Sequence, residues 1–445
     1  MNTEVTNYII QFMLGGDLLP QQRMDRLIGY TSDKSEMQRY RVVIRPSSFF
    51  RTGCYGTEAA YPTLPLEEWE GVPVLFGKPG VSRESDGGPL IIEADLVAST
   101  FFLISRYEEM YKREIRDEHG RFPGKESLPY RAGFIHRPIV DEYGVLLRKI
   151  LRNEGTDIPE PPFGFSHINL THDVDEPFEY RGWRGMMRAI IKEKKSPFKA
   201  FHLAFRPPWQ DRYYTFAGIL ERNKELRDRL GEEICDTIFF FKSMGTHPLD
   251  APCYNLGSAC FTPLTDLCNK REVRYGLHCS YASGLDPDKI LREKEHLQKT
   301  CSHSIDISRH HYLSAREPED MQALISAGIR HDYTMGYADV AGFRLGTCRV
   351  VRFIRPCTRV LTELLLHPLT VMDCTLNRPN YMGLEYSEAK SYTFGLIEQT
   401  ALHHGELNLL WHNVSFAVGE QKWLDNLYRD IIRETMNIHI HGKKE

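Results

Sequence analysis

From residue 164 onward, apolar residues fall in short runs separated by longer stretches in which they recur at helical spacing. The runs predict strands at 167–171, 237–241, 273–277, 304–307, 329–331 and 407–411, with one more between 350 and 372. Helices fall between them. The stretch 286–298 opens with Asp286-Pro287, a cap followed by proline at the first helical position, and places Ile290, Leu291 and Leu297 near one face. The stretch 318–327 is stopped by Gly328. A third helix begins at Ser387 with Glu388 in its first turn and ends near Gly405. This alternation predicts an α/β fold, a (β/α) barrel of about seven strands, in which chemistry belongs where the strands end.

Upstream the pattern is irregular. Apolar runs at 40–44 and 72–76 sit among many Gly and Pro, and 95–109 reads as a helix capped by Asp95. This predicts a smaller α+β N-terminal domain. Between Asn153 and Gly164, the prolines at 159, 161 and 162 favour extended backbone and mark a boundary. The expected division is 1–160 and 164–445.

Composition narrows the function classes. In 445 residues, 41% are hydrophobic and 26% charged, which excludes a disordered or fibrous chain. With 56 Lys+Arg against 60 Asp+Glu the net charge is -4, so a global basic field for nucleic acid is absent and no nucleic-acid partner is expected. The apolar stretch from Tyr8 to Leu14 has no basic flank and is broken by Gly15-Gly16-Asp17, so it does not read as a signal peptide. No apolar run approaches the roughly 20 residues of a transmembrane helix. The 10 cysteines form no C-x-x-C pair, and Cys253, Cys260 and Cys268 are spaced too widely for a zinc knuckle. Reduced thiols and a cytoplasmic location are expected.

The strand ends carry the candidate chemistry. The first ends Thr171-His-Asp-Val-Asp175; alternation places Asp173 and Asp175 on one side, about 6.6 Å apart at roughly 3.3 Å per residue. A competing reading makes them turn formers before Pro177. The third strand ends at His278, the fourth at Arg309-His-His-Tyr312, the fifth runs through Asp332 toward Tyr337 and Arg344, and the last ends Trp411-His412. One Asp with two His leaving open positions suits a hard-to-borderline divalent cation. Asp173 could then take a proton from water and a histidine protonate a leaving group, which describes metal-assisted hydrolysis.

These segments, with Gly276-Leu-His278-Cys-Ser280, Asp332-Tyr-Thr-Met-Gly336 and Gly342-Phe-Arg344, resemble the ordered motifs of the polysaccharide deacetylases of carbohydrate esterase family 4. The resemblance is closer to a bacterial branch with an uncharacterised N-terminal domain, to which Phe101-Phe-Leu-Ile-Ser-Arg-Tyr-Glu-Glu109, Asp117-Glu-His-Gly-Arg-Phe122 and Arg137-Pro138 are similar. It implies a distorted barrel, one divalent cation (zinc first, other transition metals next), and removal of an acetyl group from an N-acetylated or O-acetylated sugar or polysaccharide precursor. Under it Asp173 matches the general base, Asp175 and His278 metal ligands, His412 the general acid, Asp332 the acidic residue that orients it, and Arg309 the arginine of the site. Arg344, Tyr337, Trp411 and Ser280 are the substrate-binding candidates.

One position departs from that pattern. The second histidine ligand comes four residues after the first, but residue 282 is alanine. His311 is the preferred replacement, with His310 and His247 behind it; Ser280 or water could also fill the place. A barrel that has lost its metal and binds carbohydrate, or serves as a scaffold, is the alternative. A non-sugar amide or phosphoester substrate is a third reading. In the long 176–236 connection, Trp183, Arg184, Trp209, Tyr213 and Tyr214 either contact a sugar or pack an amphipathic helical insertion against the barrel.

Overall fold

Parallel strands need helical crossovers, and the region after residue 164 supplies them in sequence order. The computed structural model describes residues 2–16, 26–419 and 422–442. The N-terminal region holds β1 (Ile28–Tyr30), β2 (Val42–Ile44), the hairpin of β3 (Glu67–Trp69) and β4 (Val72–Val74), then β5 (Gly77–Ser82) and β6 (Leu90–Ala94). Its four-stranded sheet has the order β1-β2-β6-β5. The barrel strands are β7 (His167–Val174), β8 (Cys235–Phe241), β9 (Arg274–Cys279), β10 (Ile307–His310), β11 (His331–Met335), β12 (Val351–Arg355), β13 (Val360–Pro368), β14 (Val371–Met372) and β15 (Glu406–Leu410). They form one curled nine-stranded sheet in the order β12-β13-β11-β10-β9-β8-β7-β15-β14, a distorted half-barrel. All its pairings are parallel except β12 with β13.

Two expectations shift. The fourth and fifth strands start later than hydrophobicity predicts because Ser308, Arg309, His310, Asp332 and Thr334 are polar yet buried, Arg309 bonding Thr171 and Asp173 and the others bonding among themselves. The stretch between 350 and 372 is not one strand but an antiparallel hairpin followed by short β14, which raises the count to nine. At the edge, the Arg352 backbone N–H donates to the Tyr8 hydroxyl at 2.8 Å.

Close packing inside the sheet prepares the site. A Cβ at Gly276 would lie 2.4 Å from the Phe240 ring, so only glycine leaves room for that ring on β8. Phe240 in turn is the plate over which the Arg309 guanidinium lies, 4.4 Å from the ring centre.

The two regions share one continuous apolar core. Asp95 caps the helix Leu96–Ile104 by accepting from the Ala98 N–H, and all nine residues of that helix are buried. Behind it Glu109 accepts two parallel hydrogen bonds from Arg344, at 2.9 and 2.8 Å, and others from Arg106. Asp141 likewise accepts from Thr347, the Cys348 N–H and Arg349. Arg344 is thus a tie between the regions.

Burial alone would raise the Glu109 pKa, but Arg106 and Arg344 outweigh it and hold the pKa down to about 2 against the ordinary 4.5. The carboxylate therefore stabilises the fold fully above about pH 4.5, and that contribution, roughly 3 kcal/mol, is lost as the pH falls toward 2. In urea titrations from neutral pH down to about pH 2, Glu109→Gln should be less stable at neutral pH and should lose this part of the acid sensitivity. An unchanged slope would remove Glu109 as its source.

Candidate active site

Because β7, β9, β10 and β15 run parallel in register, their carboxyl ends open on the same edge. Side chains alternate, so Asp173 faces inward and His172 outward. The His172 Nδ1–H donates to the Trp411 carbonyl at 2.9 Å and Nε2 accepts from Asn223 at 3.0 Å. Burial pushes its pKa down to about 4, and it remains a neutral packing residue.

Asp175, His278 and His311 converge at this edge, with one ligand atom from each lying within 4.8 Å of the others. His278 Nδ1–H donates to the Arg309 carbonyl at 3.0 Å, which leaves Nε2 as a lone pair pointing at Asp175 Oδ1 from 3.1 Å. Both atoms are buried and neither has a hydrogen-bond partner. Two acceptors facing each other at this spacing need a positive charge between them, a proton or a cation, and an Asp with two His is a donor set that fits a divalent ion.

His311 completes the set. Its Nε2 is 3.4 Å from Asp175 Oδ1, and its Nδ1 is 3.3 Å from Asp250, a carboxylate that orients the ring. Asp250 is itself fixed by the Tyr281 N–H at 2.6 Å. Burial opposes the charged form of His311, but Asp175 and Asp250 outweigh it and raise the pKa. The same two histidines hold the Asp175 carboxyl well below its usual range against the effect of burial. Residue 282, in the short helix Tyr281–Leu285, offers only a methyl group.

Two ionisable groups flank the set. Asp173 Oδ1 accepts from Arg309 at 2.9 Å, and Oδ2 lies 3.5 Å from His278 Nε2. His412 Nε2 is 3.6 Å from Asp175 Oδ2. His412 Nδ1 is 2.8 Å from Asp373, which also accepts from the His412 N–H and from Ser415. Burial would lower the His412 pKa, but Asp373, with Cys374 beside it, raises it well above the ordinary value. The ring is held as a proton donor.

Asp332 does not fill the orienting position. It accepts from the Thr334 N–H and hydroxyl and from Ser308, on the side of the sheet where His310 lies. Asp373 takes that place; the signal was an Asp directly after β14, hidden because the preceding hairpin was read as part of one strand. Of the substrate-binding candidates, Arg344 is engaged by Glu109, and Tyr337 is buried with Phe122, Ile135 and Val340. Trp411 donates to the Leu424 carbonyl on the outer face, and Ser280 caps a helix and bonds Glu293. None lines the cavity. His247 accepts from the Leu249 N–H and is likewise not in the set.

The cavity over the site measures ≈ 140 Å³ and is lined by Asp173, Asp175, His278, His311 and His412, with Lys242, Tyr312, Arg378 and Tyr381 among its other walls. Arg121 reaches it from the N-terminal region, donating to the Tyr312 carbonyl at 2.6 Å. That contact clamps Tyr312 and Leu313, both at positive φ (60° and 54°), a strain of about 1 kcal/mol each. Trp183, Trp209, Tyr213 and Tyr214 are not among the lining residues.

Asp373→Asn should lower the His412 pKa, seen as an acid-ward shift of its imidazole proton titration by NMR. Asp332→Asn should leave that titration in place; the reverse pattern would restore Asp332 as the orienting residue. In comparisons with known proteins, residues 3–156 match a family of unknown function (DUF7033). Curated protein sequences yield no match. A crystal structure described as that of a polysaccharide deacetylase from Mycobacterium smegmatis is similar at 12% identity and a TM-score of 0.38, covering 62% of this chain and 86% of that one.

Proposed function

We propose that the chain is a metal-dependent hydrolase that removes an acetyl group from an N-acetylated or O-acetylated sugar or polysaccharide precursor. The observation that carries the reading is the pair of unpartnered buried atoms, His278 Nε2 and Asp175 Oδ1, aimed at one point with His311 beside them. Asp175, His278 and His311 would hold the cation, with zinc the first candidate for an Asp/His set. A divalent cation there supplies Lewis acidity toward a carbonyl oxygen and makes a neighbouring water more acidic.

The chain's own groups divide the remaining work. Asp173, aligned by Arg309, accepts the proton of the attacking water through Oδ2. His412, held protonated by Asp373, donates from Nε2 to the departing nitrogen or oxygen as its bond to the acyl carbon breaks. Acetate and a free amine or hydroxyl result. The base lies beside His278 Nε2 and the acid beside Asp175 Oδ2, so both border the candidate ligands.

Cavity size favours a small acyl group. At ≈ 140 Å³ the space is below the roughly 300 Å³ at which whole-ligand pockets begin, so it suits a substituent such as acetamide, with the sugar ring at the rim near Tyr312 and Tyr381. The resemblance of the ordered motifs to those of carbohydrate deacetylases supports the sugar.

Purified protein should hold about one divalent ion per chain, by elemental mass spectrometry, and Asp175→Ala should release it. Unchanged metal content in that variant would reject the ligand assignment. Asp173→Asn should keep the ion and lose at least about 100-fold in turnover on an acetylated-sugar panel. Turnover of generic phosphoesters in preference to acetylated sugars would overturn the substrate class, and a chain that binds sugars without ion or turnover would be a lectin-like scaffold.

A further inference from the structure

The connection between β7 and β8 contains a helical hairpin, Gly182–Ile191 and Pro197–Phe205, whose apolar residues divide into two sets. One set faces inward: Ala189 and Ala200 are buried with Tyr180, and Met186, Ile190 and Leu203 pack around them. The other faces water. Trp183, Met187 and Ile191 recur every four residues on the first helix, and Phe198, Phe201 and Phe205 at three- and four-residue steps on the second. Exposure reaches 66% at Trp183, 67% at Ile191 and 85% at Phe198, far more than an insertion packed on the barrel would show. The rings of Trp183, Phe201 and Phe205 touch in series, at 5.1 and 4.8 Å, so the stripes of the two helices join into one patch.

The charge around the patch is as one-sided as its apolar content. Residues 181–206 contain eight Lys/Arg and one acidic residue, Glu193, in a chain whose net charge is -4. Arg184, Arg188 and Lys192 follow Trp183, Met187 and Ile191 by one position each and line the edge of that stripe. Among the described residues, Arg184, Arg188, Lys192, Lys194 and Lys199 form no ion pair; the salt bridges of this segment are Lys195 with Glu193 and Arg206 with Asp211.

We propose that this hairpin is an interfacial anchor that docks the protein on an anionic lipid membrane. Aromatic and aliphatic side chains interleaved with Lys and Arg, with a single acidic residue among them, match the headgroup boundary, where rings enter the acyl region and cations meet lipid phosphates. A protein partner fits less well, because lysine is depleted at protein–protein interfaces, while three of these five free cations are lysines. At 10 and 9 residues the helices are too short to cross a bilayer and lie along it. The groove at the hairpin's base, ≈ 500 Å³ and lined by Arg181, Arg184 and Tyr254, shares Ala251 with the candidate cavity, so docking sets that cavity beside the membrane surface. The proposal stands independently of the reaction at the site.

The test is co-sedimentation of the full chain with vesicles of phosphatidylcholine, alone or with about one third phosphatidylglycerol. Binding should require the anionic lipid and weaken as salt is raised. Replacing Lys192, Lys194 and Lys199 by Gln should weaken it roughly 100-fold, about five-fold per lysine. Phe198→Ser, at an exposed position, should weaken it with an unchanged melting curve, and Trp183 fluorescence should shift to the blue on binding, absent in Trp183→Phe. Failure of the native chain to sediment with anionic vesicles, or equal binding by these variants, overturns the proposal. So does a concentration-dependent dimer that Phe198→Ser abolishes without any vesicle binding, which would make the patch an interface between copies of the chain.

Discussion

A positive charge buried inside a sheet needs a negative partner and acceptors close by, and Arg309 is the residue on which this barrel organises itself. Wholly shielded from solvent, it donates to Thr171 and Asp173 on β7 and to the Tyr333 carbonyl on β11, and lies on the Phe240 ring of β8. Three strands besides its own β10 are thereby tied to one side chain. A register slip of one residue would turn Asp173 outward and leave the guanidinium unpaired, so the ion pair selects the pairing that also brings the strand ends together. The backbone carbonyl of the same residue fixes His278.

The N-terminal region belongs to the same physical system. Glu109 and Asp141 neutralise arginines of the barrel segment at 344 and 349, in contacts whose removal would strand buried charge. Arg121 goes further, since it holds the strained turn that follows His311. The position of one candidate ligand therefore depends on a residue some 190 positions earlier, which gives this region a part in shaping the site.

Chemistry and attachment sit on neighbouring structures with opposite designs. At the candidate site the ionisable groups are matched in place: Asp175 by His278 and His311, Asp173 by Arg309, His412 by Asp373. On the hairpin Arg184, Arg188, Lys192, Lys194 and Lys199 stand without ion pairs beside exposed rings. Buried charges must be neutralised locally because the interior solvates them poorly, whereas exposed ones can wait for a partner from outside.

Much of this was legible in the chain. The alternation of short apolar runs and amphipathic stretches determined a β/α architecture, and polar residues at the ends of those runs marked Asp173, Asp175, His278, His311 and His412, because residue type and period are local properties. The sequence did not reveal that Asp373 rather than Asp332 meets His412, that Asp250 supports His311, or that Arg344, Tyr337 and Trp411 turn away from the cavity. Each depends on which face of a strand a residue occupies after pairing and on partners far along the chain. The hairpin shows the same limit: its helical spacing was readable, but whether Trp183 and Phe198 face the barrel or the solvent was decided only when the smaller residues Ala189 and Ala200 took the inner side. Pattern fixes what a segment can become, and tertiary packing decides which of its faces is left for function.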